Sequence, residues 1–346
     1  MHVPSMIASN HIFFHLCLNG YECQGKYIYT FIMLASWLLL LAAAVSWTYA
    51  YKPLSTQSLS GIADSKHRAL ELADPLMIPR VSGTPGNQQV RDTIVQHFRN
   101  LGWHVALDEF IAATPIGDTT FANIIATQNP EAQRRLVLAA HYDSKATPEG
   151  FIGATDSAVP CGMLMDIAES LPFKTTKLDN TTLQLVFFDG EEAFVKWNEY
   201  DSIYGAKHLG QVWAESGDLE RMDVMVLLDL MGAPNPTFPN YYPSTDWLFR
   251  NLVDIEKRLY KVNNMFDLSS PLTYRGYLMQ DDHLPFLHRG ADILHLIPYP
   301  FPEVWHTMDD NAGAIDPNTV ERLTVVMKAF VAEYLEITLP TLHTEL

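Results

Sequence analysis

The chain has 346 residues, of which 48% are hydrophobic, and this length is enough for one large domain with a full core. Its 40 acidic residues outnumber its 23 basic residues, and the net charge of −17 argues against a nucleic acid as partner, because phosphate binding requires clustered Lys and Arg. The three cysteines (Cys17, Cys23 and Cys161) exclude a disulfide framework and a CxxC zinc motif in the main body. A metal there must be held by histidines and carboxylates.

Residues 27–50 form an almost uninterrupted apolar segment that is long enough to span a bilayer. A signal peptide is the alternative, because the densest part is short and Thr48-Tyr49-Ala50 resembles a cleavage site. Both interpretations separate an N-terminal extension, residues 1–50, from a globular domain, residues 51–346, and both predict the secretory pathway. The glycosylation sequon at Asn180 is compatible with that location.

The body of the chain alternates predicted helices and strands. A turn-rich loop at 80–86 leads into an amphipathic helix at 87–101. This alternation predicts an α/β fold, a single domain in which helices cover both faces of a mostly parallel central sheet. The predicted strands are 135–140, 183–188, 225–228 and 293–297, and the other predicted helices are 158–170, 204–213, 246–260, 282–289 and 318–335.

Polar side chains follow these predicted strands at the points where the strands end. His141 and Asp143 follow the first strand, Asp189-Gly190-Glu191-Glu192 follows the second, and Asp229 follows the third. Open α/β sheets bind ligands beyond the carboxyl ends of their strands, so we expect these side chains to meet in one cleft. Adjacent side chains on an extended segment point in different directions, so one glutamate of the pair could bind a metal while the other faces a substrate.

Histidines and carboxylates near these strand ends are the candidate metal ligands. Asp156, Glu192 and His306 would supply two oxygens and one nitrogen, which suits a catalytic zinc with a fourth position left for water or substrate. Magnesium and calcium prefer oxygen ligands, so zinc fits this inventory best. Structural explanations also exist, because Asp156 could instead cap the helix that begins near Ala158. The wider set of candidates comprises His141, Glu191, Asp229, Asp281, Asp282, His283 and His295.

Several long strings resemble the animal glutaminyl-peptide cyclotransferases, over roughly residues 60–340. The resemblance implies the fold of zinc aminopeptidases, with a mixed six-stranded sheet flanked by helices. It also implies that the globular domain, residues 51–346, is catalytic. The strings are HYDSK at 141–145, GATDSAVPC at 153–161, FFDGEEAF at 187–194, LDLMGAPNP at 228–236, QDDH at 280–283, HLIP at 295–298 and FPEVWHT at 301–307.

The resemblance also implies a reaction and a role for each site residue. N-terminal glutaminyl residues of peptides and proteins would become pyroglutamyl, with release of ammonia, at one zinc ion that polarises the side-chain amide. Glu191 would carry the proton, which a raised pKa would suit. The implied zinc ligands are Asp156, Glu192 and His306. Asp229 and Asp281 would join Glu191 as catalytic residues by forming a carboxylate network. The implied substrate-binding residues are Trp197 and Trp305, which would wall the pocket, Gln280, which would hydrogen-bond the substrate, and His295, in a supporting role.

One departure from the family concerns a disulfide. Family members in the secretory pathway often pair the cysteine at the Cys161 position with one immediately before the His141 position. Ala140 occupies that place here, so the resemblance implies no disulfide, while the chemistry is unaffected.

Two alternatives to the cyclase interpretation remain. A zinc aminopeptidase of the same fold would activate water and commonly use two metals, and His141 with Asp229 could hold the second. The string that follows Asp156 favours the cyclase, because an aminopeptidase more often has Ser-Gly after that acid. A non-catalytic secreted binding domain is disfavoured because no ligand or base is missing. With no coiled-coil pattern we expect a monomer, attached to the membrane if residues 27–50 are retained.

Overall fold

The computed structural model describes residues 52–178, 180–276 and 279–339, so the apolar segment at 27–50 lies outside the described residues. No helix within those three ranges is long and apolar enough to cross a membrane. The α-helices of the described ranges are α1 Thr56–Ala63, α2 Ala69–Ala73, α3 Pro85–Asn100, α4 Val159–Ser170, α5 Tyr204–Ser216, α6 Asp246–Tyr260, α7 Leu284–Leu287 and α8 Pro317–Tyr334.

A six-stranded sheet forms the centre of the fold, and its strands are β1 His104–Thr114, β2 Gly117–Thr127, β3 Arg134–His141, β4 Thr181–Phe188, β5 Met222–Leu228 and β8 Ile293–Leu296. Their spatial order is β1-β2-β4-β3-β5-β8. The pairs β4-β3, β3-β5 and β5-β8 are parallel, whereas β1-β2 and β2-β4 are antiparallel. The predicted mixed, mostly parallel sheet is therefore confirmed. Two short strands, β6 Phe238–Pro239 and β7 Phe266–Asp267, form a separate parallel pair.

Helices cover both faces of the sheet, as the alternation of elements predicts. Successive side chains of β3 point to opposite faces, so Leu136 and Leu138 belong to one hydrophobic cluster and Val137 to another. The first cluster includes residues of α3, α4 and α8, and the second includes residues of α5 and α7. With both faces buried, a ligand can approach the central strands only at their ends.

The hairpin of β1 and β2 and the short helices α1 and α2 were not among the elements predicted from the chain. β1 is an edge strand whose side chains alternate between exposed and half-buried, so it lacks the continuous apolar run that identifies the central strands. The helix predicted at 282–289 is also shorter than expected, since only Leu284–Leu287 is helical and turns flank it.

Candidate active site

The carboxyl ends of β3, β4 and β5 bring their polar side chains into one cluster, which confirms the predicted convergence. His141 ends β3, and its Nε2 lies 3.5 Å from Oδ1 of Asp229, which follows β5. Asp143 accepts hydrogen bonds from the backbone N–H groups of Glu191, at 3.1 Å, and Glu192, at 3.2 Å. The carboxylate that follows β3 therefore fixes the acidic pair that follows β4.

Asp189, the first acid of the run after β4, is a structural residue. Its buried carboxylate accepts hydrogen bonds from the Ser82 hydroxyl at 2.6 Å, the Asn87 amide at 2.9 Å and the Ala122 backbone N–H at 2.9 Å. The next residue, Gly190, has a φ of +70°, a conformation that glycine adopts at no steric cost. The chain therefore turns here, between the anchored Asp189 and the two glutamates.

Asp156, Glu192 and His306 bring their ligand atoms within 4.8 Å of one another. His306 Nε2 lies 3.4 Å from both Asp156 Oδ2 and Glu192 Oε1, and two ligand atoms at about 2.1 Å from a tetrahedral zinc lie about 3.4 Å apart. Glu192 Oε1 is buried and has no hydrogen-bond partner among the described residues. Two carboxylates, one imidazole and this unsatisfied oxygen fit a zinc ion.

Asp156 does not serve as the helix cap that was one interpretation of its position. Ala158 occupies the N-cap position of α4, and no side-chain hydrogen bond caps this helix in the described structure. The Asp156 carboxylate is instead shared between His306 and His141, whose Nε2 lies 2.9 Å from Asp156 Oδ1. Although burial opposes ionisation, these two imidazoles lower the pKa of Asp156, so the carboxylate is charged.

Glu191 is the acid of the pair that faces the pocket. It lines the same cavity as Asp156 and Asp229, and its carboxyl is buried. Burial and the charge of Glu192 raise the pKa of Glu191 well above its usual value, although nearby His141 opposes the shift. The expected rise in this pKa is therefore present.

Asp229 and Asp281 are buried acids whose carboxyls lie close enough to Glu191 or to each other to affect their ionisation. Burial, with the charge of Asp281 among the further causes, raises the pKa of Asp229 to about 6. The charge of Asp281 also contributes to the raised pKa of Glu191. Asp282 is fully buried, and burial raises its pKa well above the usual value. Neither of its carboxylate oxygens has a hydrogen-bond partner in the part of the chain that the structure describes. This many close acids cannot all be ionised at once.

His295 lies behind this cluster and away from the substrate side. It is 1% exposed, its Nε2 lies 2.7 Å from Asp281 Oδ2, and its ring centroid is 4.3 Å from that of His283. His283 Nε2 in turn lies 2.6 Å from the Tyr242 hydroxyl. Within the described part of the chain, His295 does not line the cavity in front of the metal-ligand triad, so its contact with the site runs through Asp281.

A cavity of about 390 Å³ opens in front of the triad, and we call it the active-site pocket. The predicted wall residues Trp197 and Trp305 both line it, together with Gln280. The Trp305 ring stacks on the His306 ring at a centroid distance of 4.1 Å, and Trp197 Nε1 donates a hydrogen bond of 2.9 Å to Gln280 Oε1. Its other lining residues are Lys145, Asp156, Glu191, Asp229, Leu230, Met279, Ile297, Phe301 and His306.

Two cationic side chains at the site were not assigned roles from the chain alone. Lys145 lines the pocket, and its Nζ lies 3.3 Å from Glu192 Oε2. Arg80 is completely buried and donates hydrogen bonds to the carbonyl oxygens of Gly153, at 3.0 Å, and Asp156, at 3.3 Å, so it supports the loop that carries Asp156. Lys145 belongs to the string at 141–145, but no feature of the chain around Arg80 signals its burial.

Cys161 and Ala140 occupy the two positions at which the family disulfide would lie. Cys161 is a buried free thiol whose Sγ–H lies 3.2 Å from the carbonyl oxygen of His141. Ala140, one residue earlier on β3, is also fully buried. Hydrophobic packing, and not a covalent bond, joins α4 to β3.

The chain matches the profile of Peptidase family M28 over residues 123–331. It is 46% identical over 296 residues to a glutaminyl-peptide cyclotransferase of Drosophila melanogaster, covering 80% of this chain and 82% of that protein. It is also 46% identical over 290 residues to the glutaminyl-peptide cyclotransferase of Bos taurus, covering 76% of this chain and 80% of that protein. The crystal structure of Macrostomum lignano glutaminyl cyclase has a TM-score of 0.78 and 36% identity, covering 85% of this chain and 97% of that one. The chain therefore belongs to the glutaminyl-peptide cyclotransferases of peptidase family M28.

Proposed function

We propose that this protein converts N-terminal glutaminyl residues of peptides and proteins to pyroglutamyl residues and releases ammonia. The observation that carries the proposal is the placement of a buried acid of raised pKa, Glu191, in one pocket with a triad suited to zinc. Membership of the cyclotransferase family supports the same reaction.

Asp156, Glu192 and His306 would hold one zinc ion per chain. Three protein ligands leave a fourth position, as in catalytic zinc sites. The bound ion would supply Lewis-acid polarisation of the substrate's side-chain amide. Two residues would support these ligands without contacting the ion. Arg80 fixes the backbone at Asp156, and Asp143 fixes the backbone of Glu191 and Glu192.

Glu191 would move the proton that the reaction displaces. The α-amine nitrogen bonds to the side-chain amide carbon, the bond from that carbon to its NH₂ group breaks, and a proton from the amine leaves with the NH₂ group as ammonia. A carboxyl whose pKa is raised can both accept and return that proton near neutral pH. Both reacting groups belong to one residue, so little orientation remains for the protein to supply.

The hydrogen bonds around Asp229 favour this single-metal chemistry over a two-metal aminopeptidase. His141 Nε2 is 2.9 Å from Asp156 Oδ1, the length of a direct hydrogen bond and shorter than the separation of two ligands on a shared ion. Asp229 Oδ1 also accepts hydrogen bonds from the Ser157 hydroxyl and, at 2.7 Å, from the backbone N–H of Leu230. The side chains that a second metal would need, His141, Asp156 and Asp229, therefore already have hydrogen-bond partners within the protein.

The pocket walls would select and orient the glutaminyl residue. Trp197 and Trp305 offer flat apolar surfaces, and the Gln280 amide can donate to the substrate because its oxygen is held by Trp197. Asp229 and Asp281 would form a carboxylate network with Glu191 in which the proton is shared. His295 would position Asp281. We place the protein in the secretory pathway as a monomer, with residues 27–50 serving as a signal peptide or a membrane anchor.

The product mass of a peptide that begins with Gln tests this proposal. We expect purified enzyme to convert the peptide to a product lighter by one ammonia, and the same peptide with an acetylated N-terminus to remain unchanged because it lacks a free amine. Mass spectrometry of both reactions is the measurement. Loss of the whole first residue would establish the aminopeptidase, and an unchanged free peptide would leave the binding domain as the correct interpretation.

A further inference from the structure

A second cavity, of about 540 Å³, adjoins the active-site pocket and shares Trp197 and Gln280 with it. The hydrogen bond between these two side chains lies at the protein surface and forms the rim between the two cavities. The far wall consists of residues from α5 and from the end of α7, including Lys207, His288 and Arg289. We call this second cavity the basic groove.

The basic groove carries an exposed cation, Arg289, and a half-buried one, Lys207, in a chain of net charge −17. Lys207 Nζ donates to the backbone carbonyls of Glu199, at 2.6 Å, and Ser202, at 2.7 Å. The exposed Arg289 donates through Nη1 to the carbonyl of Pro285, at 2.7 Å. In the described ranges, Arg289 forms no ion pair with a carboxylate within 4.0 Å, whereas the charges of Asp282, Asp201 and Glu199 act on Lys207.

Glu199 is the acid that lines the basic groove, and its charge acts on Lys207 and not on Arg289. Glu199 is exposed, and its carboxylate interacts with the hydroxyl of Tyr200, whose pKa it raises. Arg289 therefore keeps its charge available to a ligand, whereas the ammonium of Lys207 is already held by two backbone carbonyls. An exposed cation without an ion-pair partner on the wall of a groove favours an anionic occupant.

We infer that the basic groove binds the substrate segment that follows the N-terminal glutaminyl residue and prefers acidic side chains there. This inference rests on the proposed cyclase function. The glutaminyl residue occupies the active-site pocket, and the rest of the substrate must leave over its edge. The rim is a single pair, Trp197 and Gln280, and an extended chain advances about 3.3 Å per residue, so the third and fourth residues reach the groove.

Matched peptides test the preference. We compare kcat/KM for Gln-Ala-Glu-Glu-amide, the neutral Gln-Ala-Gln-Gln-amide and the short Gln-Ala-amide, which ends before the basic groove. The acidic peptide should exceed the neutral one by about two- to fivefold for each exposed charge pair formed, and added salt should reduce the difference. Equal values for the two longer peptides at low salt would overturn the inference.

Variants of Arg289 locate the preference. Arg289→Gln should reduce the ratio of acidic to neutral kcat/KM towards one, and Arg289→Glu should invert it, whereas turnover of Gln-Ala-amide should stay unchanged in both. Lys174→Glu is the control, because it makes the same charge change at an exposed residue of the turn between α4 and β4 and should leave the ratio unchanged. An unaltered ratio in Arg289→Glu would overturn the assignment.

The same peptides distinguish failure of this inference from failure of the proposed function. Cyclisation of Gln-Ala-amide without any charge preference among the longer peptides would reject the basic groove alone. Absence of cyclisation for all three peptides in zinc-loaded enzyme would reject the cyclase function, and the groove assignment with it.

Discussion

Glu191→Gln is expected to lower kcat for a Gln peptide by about a hundred- to ten-thousand-fold, the usual contribution of a positioned general acid or base. The amide has nearly the shape of the acid but cannot accept and return the proton. The backbone N–H of residue 191 would still bond to Asp143, so Glu192 should keep its place. Steady-state kinetics and the zinc content of the purified variant are the two measurements.

The zinc content separates loss of the proton carrier from loss of the site. We expect Glu191→Gln to bind as much zinc as the unmodified enzyme, and Glu321→Gln, an exposed substitution on α8, to retain full activity. Near-normal turnover in Glu191→Gln would move the proton role to another acid of the cluster. Loss of zinc together with activity would make Glu191 a ligand.

His306→Asn is expected to reduce zinc affinity by more than about 100-fold, since changing residues that merely support ligands already lowers affinity by about 10- to 100-fold. His306 is the only nitrogen ligand of the triad, and its side chain is half-buried. Asn is the suitable replacement because His306 has a φ of +57°, a conformation that Asn tolerates. Competition with a chromogenic chelator gives the affinity.

A matched histidine provides the control for this substitution. His104 is exposed at the start of β1, and His104→Asn should leave zinc affinity and activity unchanged. Zinc affinity within tenfold of the unmodified value in His306→Asn would contradict the triad, and the metal would then lie on another group, either His141, Asp156 and Asp229 or Asp281, His283 and His295.

The part of the site that could be predicted lies directly after apolar strands. His141, Glu191 and Asp229 each occur within a few residues of the end of a buried run, and parallel strands bring such ends together. Asp156 and His306 lie on loops, at non-helical or positive-φ positions that no periodicity indicates. Ligand chemistry suggests grouping them with Glu192 and the family strings imply the same triad, but the spacing of the residues alone does not indicate it.

The features that could not be predicted depend on tertiary contacts. Arg80 is polar and next to a turn, which is typical of an exposed residue, yet it is buried because backbone carbonyls from two loops surround its guanidinium. The adjacent acids Asp281 and Asp282 cannot be distinguished from the sequence. In the described structure Asp281 lies within hydrogen-bond distance of His295, whereas neither carboxylate oxygen of Asp282 has a hydrogen-bond partner. β1 was missed because an exposed edge strand needs only half of its side chains buried.

The single-zinc site is tested most directly by restoring metal to stripped enzyme. Zinc is removed with a chelator, the ion is added back in known amounts, and both bound zinc and turnover of a Gln peptide are measured. We predict that turnover reaches its maximum at one bound zinc per chain, held by Asp156, Glu192 and His306. A rise in turnover that continues until two zinc ions are bound would contradict the single-zinc site and favour a two-metal centre that includes His141 and Asp229.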